Sequence, residues 1–281
     1  MVAIILLLSF RLISIDEPTQ TFDSIILLVM VVLATLFIMA GGNVINDIFD
    51  ITADRYNRPH QRYVTRTISI SGARRFYYLL CVLALVTSFL VYLKSRNSVL
   101  IVILVVTMIV LYLYSSHLKK IPLAGNLTVS ILCALTLWLI PIAFEFSNSI
   151  GRLPDELINL LSFLSLFAFL LTFIREIVKD RIDITGDRMA GVMTLAQKTS
   201  PTQFKAILAG TFILVISLLI YVLTQQDQLS QLIIIYLYGL IGTGLFLLFR
   251  LFKQLTHDEL KRTSQYLKLY MIQGIFLLAL A

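Results

Sequence analysis

Two short segments rich in carboxylates stand out in an otherwise apolar chain. The first acidic cluster runs from Asn46 to Pro59, the second runs from Arg175 to Asp187, and together they hold seven of the 16 acidic residues. Each cluster follows a long hydrophobic run, so its carboxylates lie at a membrane boundary, where charged side chains are costly and usually functional. Two such clusters indicate a site in which divalent cations bind a polyanion, and a diphosphate fits best.

The first acidic cluster carries an amide and two carboxylates at helical spacing. Asn46, Asp50 and Asp54 follow one another at intervals of four residues, so on a helix they drift by about 40° per step and share one broad face. Asp47 points away from that face, and we expect it to cap a helix, to pair with an arginine or to join the site only through a distortion. Pro59 marks the expected end of this helical segment.

The second acidic cluster aligns its carboxylates more tightly. They belong to Glu176, Asp180, Asp183 and Asp187. Their spacing of four, three and four residues places them in a helical stripe about 60° wide. Like charges this close destabilise a helix, and a cation among them would reverse the penalty. Glu176 is expected to act only as a helper, and Gly186 marks the expected helix end.

The types of ligand in both clusters favour magnesium. The clusters offer oxygen donors without cysteine, and Mg²⁺ prefers one or two carboxylates together with phosphate oxygens. Basic residues are interleaved with the acids, Arg55 and Arg58 in the first cluster and Lys179 and Arg181 in the second. A cation site alone gains nothing from them, whereas they can contact the oxygens of a diphosphate. The alternative is a pair of solvated helix ends whose acids pair with neighbouring cations.

A third polar segment, Tyr114–Asn126, lies between two hydrophobic runs. Lys119 and Lys120 either belong to the site or only set the topology, and for Lys120 the second interpretation is preferred. Asn126 opens an apolar span, where an unpaired amide is costly. It therefore needs a partner, and the acidic clusters are a reasonable place to find one.

The rest of the sequence is typical of a helical membrane protein. Hydrophobic residues make up 58% of the 281 residues and charged residues only 14%, and the mean hydropathy is +0.90, which exceeds what a soluble domain requires. A helix needs about 20 apolar residues to cross a bilayer. We therefore predict one all-α domain over residues 1–281, a polytopic bundle of nine transmembrane helices around a central cavity, with short first and last helices. The runs are Val2–Ile15, Ser24–Ile45, Phe76–Leu93, Ser98–Tyr114, Leu127–Phe144, Leu157–Ile174, Ala206–Leu223, Leu232–Phe249 and Leu269–Ala281.

The placement of Lys and Arg predicts the orientation of the chain. The loops after the even-numbered spans hold 19 of the 23 basic residues, and the loops after the odd-numbered spans hold three. By the positive-inside rule, the even loops and both acidic clusters face the cytoplasm of a cell membrane. The net charge of +7 is therefore explained by the membrane topology. It would also attract anionic lipid headgroups or an anionic substrate. A nucleic-acid partner is not expected, because the basic residues form no single face.

The three motifs together resemble those of the UbiA-type intramembrane prenyltransferases. The NxxxDxxxD motif of that family and the NRP after it are matched by Asn46–Asp54 and Asn57–Pro59. Its KDxxDxxGD motif is matched by Lys179–Asp187, and its LKxxPxxGN stretch by Leu118–Asn126. One departure is Tyr63, which stands where the family usually has a second proline.

The resemblance implies that a prenyl group moves from a polyprenyl diphosphate to a lipophilic acceptor with the help of two Mg²⁺ ions. It also implies that four aspartates of the two clusters are catalytic, namely Asp50, Asp54, Asp183 and Asp187. The implied metal ligands are Asn46, Asp50 and Asp54 for one ion and Asp180, Asp183 and Asp187 for the other. The implied diphosphate-binding residues are Asn46, Arg58, Lys119, Asn126 and Lys179.

Within the family, the segment Arg175–Ala196 most resembles the archaeal-type ether-lipid branch, which attaches a geranylgeranyl group to geranylgeranylglyceryl phosphate. An acceptor with a phosphate needs an additional basic pocket, for which Lys119, Arg181 and the loop after the first cluster are candidates. An aromatic acceptor, as in quinone or haem side-chain synthesis, is the alternative within the family. A cation-coupled transporter is the alternative from another class, and it is disfavoured because the carboxylates lie at span ends on one side.

Overall fold

The computed structural model of the chain describes residues 2–15, 22–60, 62–145, 153–225, 229–251 and 255–280. These residues form helices joined by turns, and the one β-bridge among them joins Val64 to Ile68. The helices are α1 (Val2–Ile15), α2 (Phe22–Phe49), α3 (Ile51–Asn57), α4 (Ile70–Ser95), α5 (Ser98–Ser116), α6 (Ala124–Leu135), α7 (Leu139–Glu145), α8 (Asp155–Ile182), α9 (Ile184–Met189), α10 (Leu195–Lys198), α11 (Pro201–Leu223), α12 (Gln231–Arg250) and α13 (His257–Leu280).

Among the described residues, seven helical segments are long and apolar enough to cross a bilayer. They are α2, α4, α5, α8, α11, α12 and the segment Ala124–Phe144, which joins α6 and α7. The predicted all-α polytopic fold is therefore confirmed. Helix α1 has only 14 residues, and the first half of α13 is charged. These two helices coincide with the short terminal runs, so the count of nine spans stays a prediction.

The long helices pack around two apolar cores. One core includes Val31 of α2, Leu100 of α5 and Ile140 of α7. The other core includes Leu171 of α8 and Phe212 of α11, with further residues of α12 and α13. The first acidic cluster extends from α2 in one core and the second from α8 in the other. The clusters therefore come together where the two halves of the bundle meet.

Candidate active site

In each acidic cluster a long helix breaks at an aspartate and a short helix follows. Asp50 separates α2 from α3 with φ −88° and ψ 4°, and Asp183 separates α8 from α9 with φ −91° and ψ 7°. Main-chain hydrogen bonds bridge both breaks, from Asp54 N to Asp50 O at 2.8 Å and from Asp187 N to Asp183 O at 3.1 Å. Because ψ near 0° departs from the helical value, the chain bends at each aspartate. The clusters continue their spans as expected, but each does so with a bend.

Asn57 joins the two clusters, because α3 packs against α9. Its Nδ2 donates to the carbonyl oxygen of Asp183 at 3.0 Å, and its Oδ1 accepts from the N–H of Gly186 at 2.9 Å. Arg58 adds an ion pair with Asp183, with Nη2 and Oδ2 3.2 Å apart. The expectation that Gly186 ends a helix is wrong, because it lies inside α9. A Cβ at Gly186 would lie 2.4 Å from Asn57 Cγ and 2.5 Å from Ala53 O, so only glycine permits this approach of the two helices.

Lys119 reaches the first cluster from the turn after α5. Its Nζ pairs with Asp50 Oδ1 and donates to Asn46 Oδ1 at 3.3 Å, while Asn46 Nδ2 donates to Asp50 Oδ2 at 2.7 Å. The side chain of Lys119 is 11% exposed, whereas Lys120 is exposed. The structure therefore brings Lys119 together with Asn46 and Asp50, and it leaves Lys120 outside.

Asn126 contacts the second cluster, as its position at the start of an apolar helix predicted. Its Nδ2 donates to Asp180 Oδ2 at 2.9 Å, and its carbonyl oxygen accepts from Ser130 Oγ at 2.6 Å. Asn126 is buried, with 6% of its surface exposed. Because a buried amide must satisfy its polar atoms, this residue fixes one oxygen of Asp180 from the facing helix α6.

Glu176 is separated in function from the three aspartates that follow it. Its buried carboxylate accepts from Arg175 Nη1 at 2.8 Å and from Lys179 Nζ at 3.1 Å. Two cations already neutralise it, so it does not need a metal ion. The second cluster therefore offers three carboxylates, those of Asp180, Asp183 and Asp187, to the space between the two acidic clusters, here called the gap. Glu176 holds the ammonium group of Lys179 beside them.

A polar pocket of about 120 Å³ lies beside the first cluster and is lined by Asp47, Asp54, Arg58, Arg62 and Tyr63, among others. Asp47 and Asp54 share this pocket because they are seven residues apart, so Asp47 lies closer to the site than its position on the helix face predicted. Arg62 Nε and Nη1 are buried and have no hydrogen-bond partner among the described residues. Buried donors without a partner can receive anionic oxygens. The sequence indicated this loop but did not single out Arg62.

The carboxylates of the two clusters repel one another across the gap. Burial, together with the charges of Asp183, Asp180 and Asp50, raises the pKa of Asp187 to about 7. Burial raises the pKa of Asp54 as well, again with a contribution from Asp50. Because Asp50 belongs to the first cluster and Asp187 to the second, the repulsion acts between the clusters. A cation in the gap would remove it.

The oxygen donors of the two acidic clusters fit a Mg²⁺ ion that is shared with a phosphate ligand. In the part of the chain that the structure describes, no three acidic, histidine or cysteine side chains converge into a metal cage. The carboxylates instead stand on both sides of the gap. This suits Mg²⁺, since the ion takes one or two carboxylates and completes its shell with phosphate oxygens and water.

Comparison with known proteins gives a consistent assignment. The UbiA prenyltransferase family model matches residues 17–272. The digeranylgeranylglyceryl phosphate synthase of Methanobrevibacter smithii is 34% identical over 188 residues, which cover 67% of this chain and 63% of that protein. The enzyme of the same name from Sulfurisphaera tokodaii is 30% identical over 255 residues, which cover 90% of this chain and 84% of that protein.

Solved structures agree with these sequence matches. One from work on digeranylgeranylglyceryl phosphate synthase in membranes has a TM-score of 0.67 at 26% identity and covers 99% of this chain and 91% of its own. A UbiA homolog from Archaeoglobus fulgidus bound to GPP and Mg²⁺ has a TM-score of 0.64 at 18% identity, covering 99% and 96%, and so shares the fold. The three motifs, the helical bundle and the family match lead to one conclusion: this chain belongs to the UbiA prenyltransferase family.

Proposed function

We propose that this protein transfers a geranylgeranyl group from geranylgeranyl diphosphate to geranylgeranylglyceryl phosphate in membrane-lipid synthesis. The observation that carries the proposal is the contact between α3 and α9, where Asn57 holds the two acidic clusters face to face. Cationic side chains, among them Arg58 and Lys119, stand around the gap. The names of the two relatives support the choice of acceptor.

The proposed reaction exchanges one carbon–oxygen bond for another. The bond between C1 of the prenyl group and the diphosphate oxygen breaks, and the diphosphate leaves with the electron pair. The hydroxyl oxygen of the acceptor bonds to C1 and releases its proton. An allylic cation needs dry surroundings until the acceptor attacks. The apolar bundle, with 18 Phe and 12 Tyr in the chain, provides them and can add cation–π support.

The carboxylates of the two clusters would hold Mg²⁺, as the fit of their oxygen donors suggests. When bound, the metal would neutralise the charge that grows on the departing diphosphate. The GPP- and Mg²⁺-bound homolog supports magnesium as the metal. Asp50, Asp54, Asp183 and Asp187 are the proposed catalytic carboxylates. We propose two sites, one formed by Asn46, Asp50 and Asp54 and the other by Asp180, Asp183 and Asp187.

The basic residues around the gap would hold the diphosphate oxygens. Arg58 and Lys179 are paired with acidic side chains in this structure, Arg58 with Asp183 and Lys179 with Glu176. Each would turn from its carboxylate toward the diphosphate when the donor binds, since phosphate oxygens are strong acceptors for both cations. Asn126 would act with them by keeping Asp180 oriented.

The remaining predictions about architecture form part of the same proposal. The chain would be a single domain over residues 1–281, with nine membrane helices. Its acidic clusters would face the cytoplasm, since the even loops carry most of the basic residues. A donor could then present its diphosphate to the gap from the cytoplasmic side while its isoprenoid chain lies in the bilayer.

A transfer assay on the full chain in lipid nanodiscs tests the proposed function. Radiolabelled geranylgeranyl diphosphate and Mg²⁺ would be supplied, with geranylgeranylglyceryl phosphate and 4-hydroxybenzoate offered separately. The variants Asp54→Ala and Asp183→Ala should lose the activity. Glu156→Ala, which removes an exposed carboxylate at the first turn of α8, serves as the matched control and should retain it.

The outcomes of this assay separate the alternatives. Mg²⁺-dependent label in the glyceryl phosphate product, absent with both aspartate variants, is the expected result. Label in the 4-hydroxybenzoate product would instead assign an aromatic acceptor. The proposal fails if neither product forms and both variants bind Mg²⁺ and diphosphate as well as the wild type does.

A further inference from the structure

A large basic cavity lies beside the second acidic cluster, between the end of α3, the end of α8 and the first half of α13. Its volume is about 1100 Å³, slightly above the range of about 300–1,000 Å³ that is usual for ligand pockets. Of the described residues that line it, eight are Arg, Lys or His and one, Asp183, is acidic. The cavity therefore has room for more than the diphosphate end of a donor and a strong excess of positive charge.

Helix α13 contributes a single basic stripe to this cavity. The stripe consists of His257, Lys261, Ser264 and Lys268, all of which line the cavity. Their spacing of four, three and four residues keeps them within about 60° of the helix surface. Among the described residues, none of the three basic side chains has an ion-pair partner, whereas Arg262 on another face pairs with Glu259. These cations are therefore available to an anionic ligand.

The other basic residues of the cavity differ from the stripe on α13. Arg58 and Lys179 are paired with acidic side chains of the site. Arg181 donates to the carbonyl oxygen of Ala196 at 2.7 Å and lies over the ring of Phe204, so it is committed to the fold. Lys119, the other lysine expected in a second basic pocket, lies at Asp50 instead. Arg175 pairs with Glu176. Among the described residues, the lysines of the cavity without an ion-pair partner are therefore the two on α13.

The face of α13 that carries the basic stripe continues into an apolar crevice. Met271, Ile275 and Leu278 follow Lys268 at intervals of three, four and three residues, and all three line the crevice. On α8 the same change occurs, because Arg175 and Lys179 line the basic cavity while Leu164, Phe167 and Leu171 line the crevice. Helices α8 and α13 therefore line a basic cavity at one end and an apolar crevice further along the same faces.

We propose that this cavity is a second anion subsite, which takes the phosphomonoester head of the acceptor lipid while its isoprenoid chain runs along the crevice between α8 and α13. The proposal rests on the proposed function and adds to it the residues that select the acceptor. Lys261 and Lys268 bind the phosphate oxygens, with His257 and Ser264 beside them. The diphosphate of the donor stays at Asp183, on the opposite side of the cavity.

The dimensions of the two helices agree with this arrangement. Lys268 and Ile275 are seven residues apart, which is about 10 Å along the axis, so a glycerol unit fits between a bound phosphate and the crevice. The crevice itself has a volume of about 40 Å³ and is only partly enclosed. It therefore takes only part of an isoprenoid chain, and the rest lies against the surrounding lipid.

The test compares acceptors with and without the phosphate. The double variant Lys261→Gln/Lys268→Gln and the wild type would be assayed in nanodiscs with geranylgeranylglyceryl phosphate and with geranylgeranylglycerol, at saturating donor. The matched control is Arg75→Gln/Arg262→Gln, which removes two exposed cations outside the cavity. The wild type and both variants would be measured in phosphatidylcholine discs and in discs that also contain phosphatidylglycerol. The second kind of disc is needed because the phosphate of an anionic bilayer lipid resembles the phosphate of the acceptor.

The expected result is a loss of preference for the phosphorylated acceptor. The ratio of kcat/KM for the two acceptors should fall by about tenfold or more in the lysine variant, through a higher KM for the phosphorylated acceptor, and stay unchanged in the control. The KM for the donor should stay within about twofold of the wild type.

An unchanged ratio of kcat/KM overturns the proposed subsite but leaves the proposed transferase activity intact. An effect confined to discs with phosphatidylglycerol, with the ratio preserved, also overturns it and assigns the cavity to a bilayer lipid. Absence of transfer by the wild type would instead remove the proposed function itself.

Discussion

Asn57 and Gly186 link the two halves of the candidate active site through a hydrogen bond of 2.9 Å, from the N–H of Gly186 to Oδ1 of Asn57. The other end of the same amide donates to the carbonyl oxygen of Asp183. A primary amide supplies a donor and an acceptor side by side, so this one side chain bonds to Asp183, just before α9, and to Gly186 in its first turn. The width of the gap between the carboxylate clusters therefore depends on Asn57.

Replacing Asn57 with alanine should reduce transfer strongly while the bundle stays folded. The substitution leaves the buried N–H of Gly186 without its partner, at a cost of about 1–3 kcal/mol. The carbonyl oxygen of Asp183 loses one of the two hydrogen bonds that it accepts and keeps the one from the N–H of Asp187. Misplacement of the two clusters should lower the rate roughly 10- to 100-fold. The Mg²⁺ concentration that gives half the maximal rate should rise as well. Steady-state kinetics with a magnesium titration measures both quantities.

The matched control for this prediction is Asn159→Ala, since Asn159 is an exposed residue near the start of α8. It should behave like the wild type in both measurements. If Asn57→Ala kept the wild-type rate and the wild-type magnesium dependence, the contact between α3 and α9 would not set the catalytic gap.

Gly186→Ala should be nearly as harmful as the loss of Asn57, for a steric reason. The added Cβ would lie 2.5 Å from the carbonyl oxygen of Ala53, and backbone cannot move aside as a flexible side chain does. The helices must separate, so transfer should fall by roughly 10-fold or more. Gly210→Ala is the control, because nothing lies within 4 Å of its Cβ position. Equal activity of the two variants would contradict the close approach of α3 and α9.

Much of this site could be predicted from the sequence because local spacing determined it. The helical register of Asn46, Asp50 and Asp54 and the need of Asn126 for a partner follow from neighbouring residues alone. The break at Asp50, by contrast, depends on how α3 docks on α9. That docking is a contact between segments more than 120 residues apart, so the spacing within the first cluster does not predict it.

Two further features differ in how far the sequence predicts them. Glu176 was expected to act only as a helper, and the fold adds the reason, since its buried carboxylate pairs with Arg175 and Lys179. The stripe from His257 to Lys268 has the same four, three and four spacing as the second acidic cluster, so this signal was present in the sequence. Its basic residues were interpreted only as determinants of topology. That this stripe faces the end of α8 across one cavity becomes visible only in the fold.

Lys119→Met should change the binding of metal and of donor in opposite directions. The ammonium group of Lys119 pairs with Asp50 and so competes with a cation for that carboxylate. Without it, Mg²⁺ should bind roughly three- to tenfold more tightly when no diphosphate is present. The KM for the donor should rise by about tenfold, because a charged contact to phosphate is lost.

Calorimetric titration with Mg²⁺ and steady-state kinetics give the two quantities separately. Lys120→Met is the control, since Lys120 is exposed, and neither quantity should change. Weaker binding of both Mg²⁺ and donor to Lys119→Met would mean that this lysine only supports the fold.

Asp187 should make the metal-free protein less stable as the pH rises. An aspartate has a pKa of 3.8 before folding, and burial together with Asp183, Asp180 and Asp50 raises the pKa of Asp187 to about 7. Between these values the folded state binds the extra proton, so the stability falls with increasing pH and the loss is complete above about pH 7. An amide in place of this carboxylate carries no charge. The variant Asp187→Asn should therefore melt at a higher temperature than the wild type at about pH 8 and at nearly the same temperature at about pH 4.

Thermal unfolding in detergent with EDTA, followed across this range of pH, measures the difference. Glu156→Gln changes an exposed carboxylate on α8 and should show no such trend. Mg²⁺ together with diphosphate should stabilise the wild type more than Asp187→Asn. Only the wild type has an ionised carboxylate at this position that can bind the metal ion. A difference in melting temperature that stays constant with pH would show that Asp187 does not experience the repulsion of the facing cluster. In that case the two sets of carboxylates would not share one cation-binding gap.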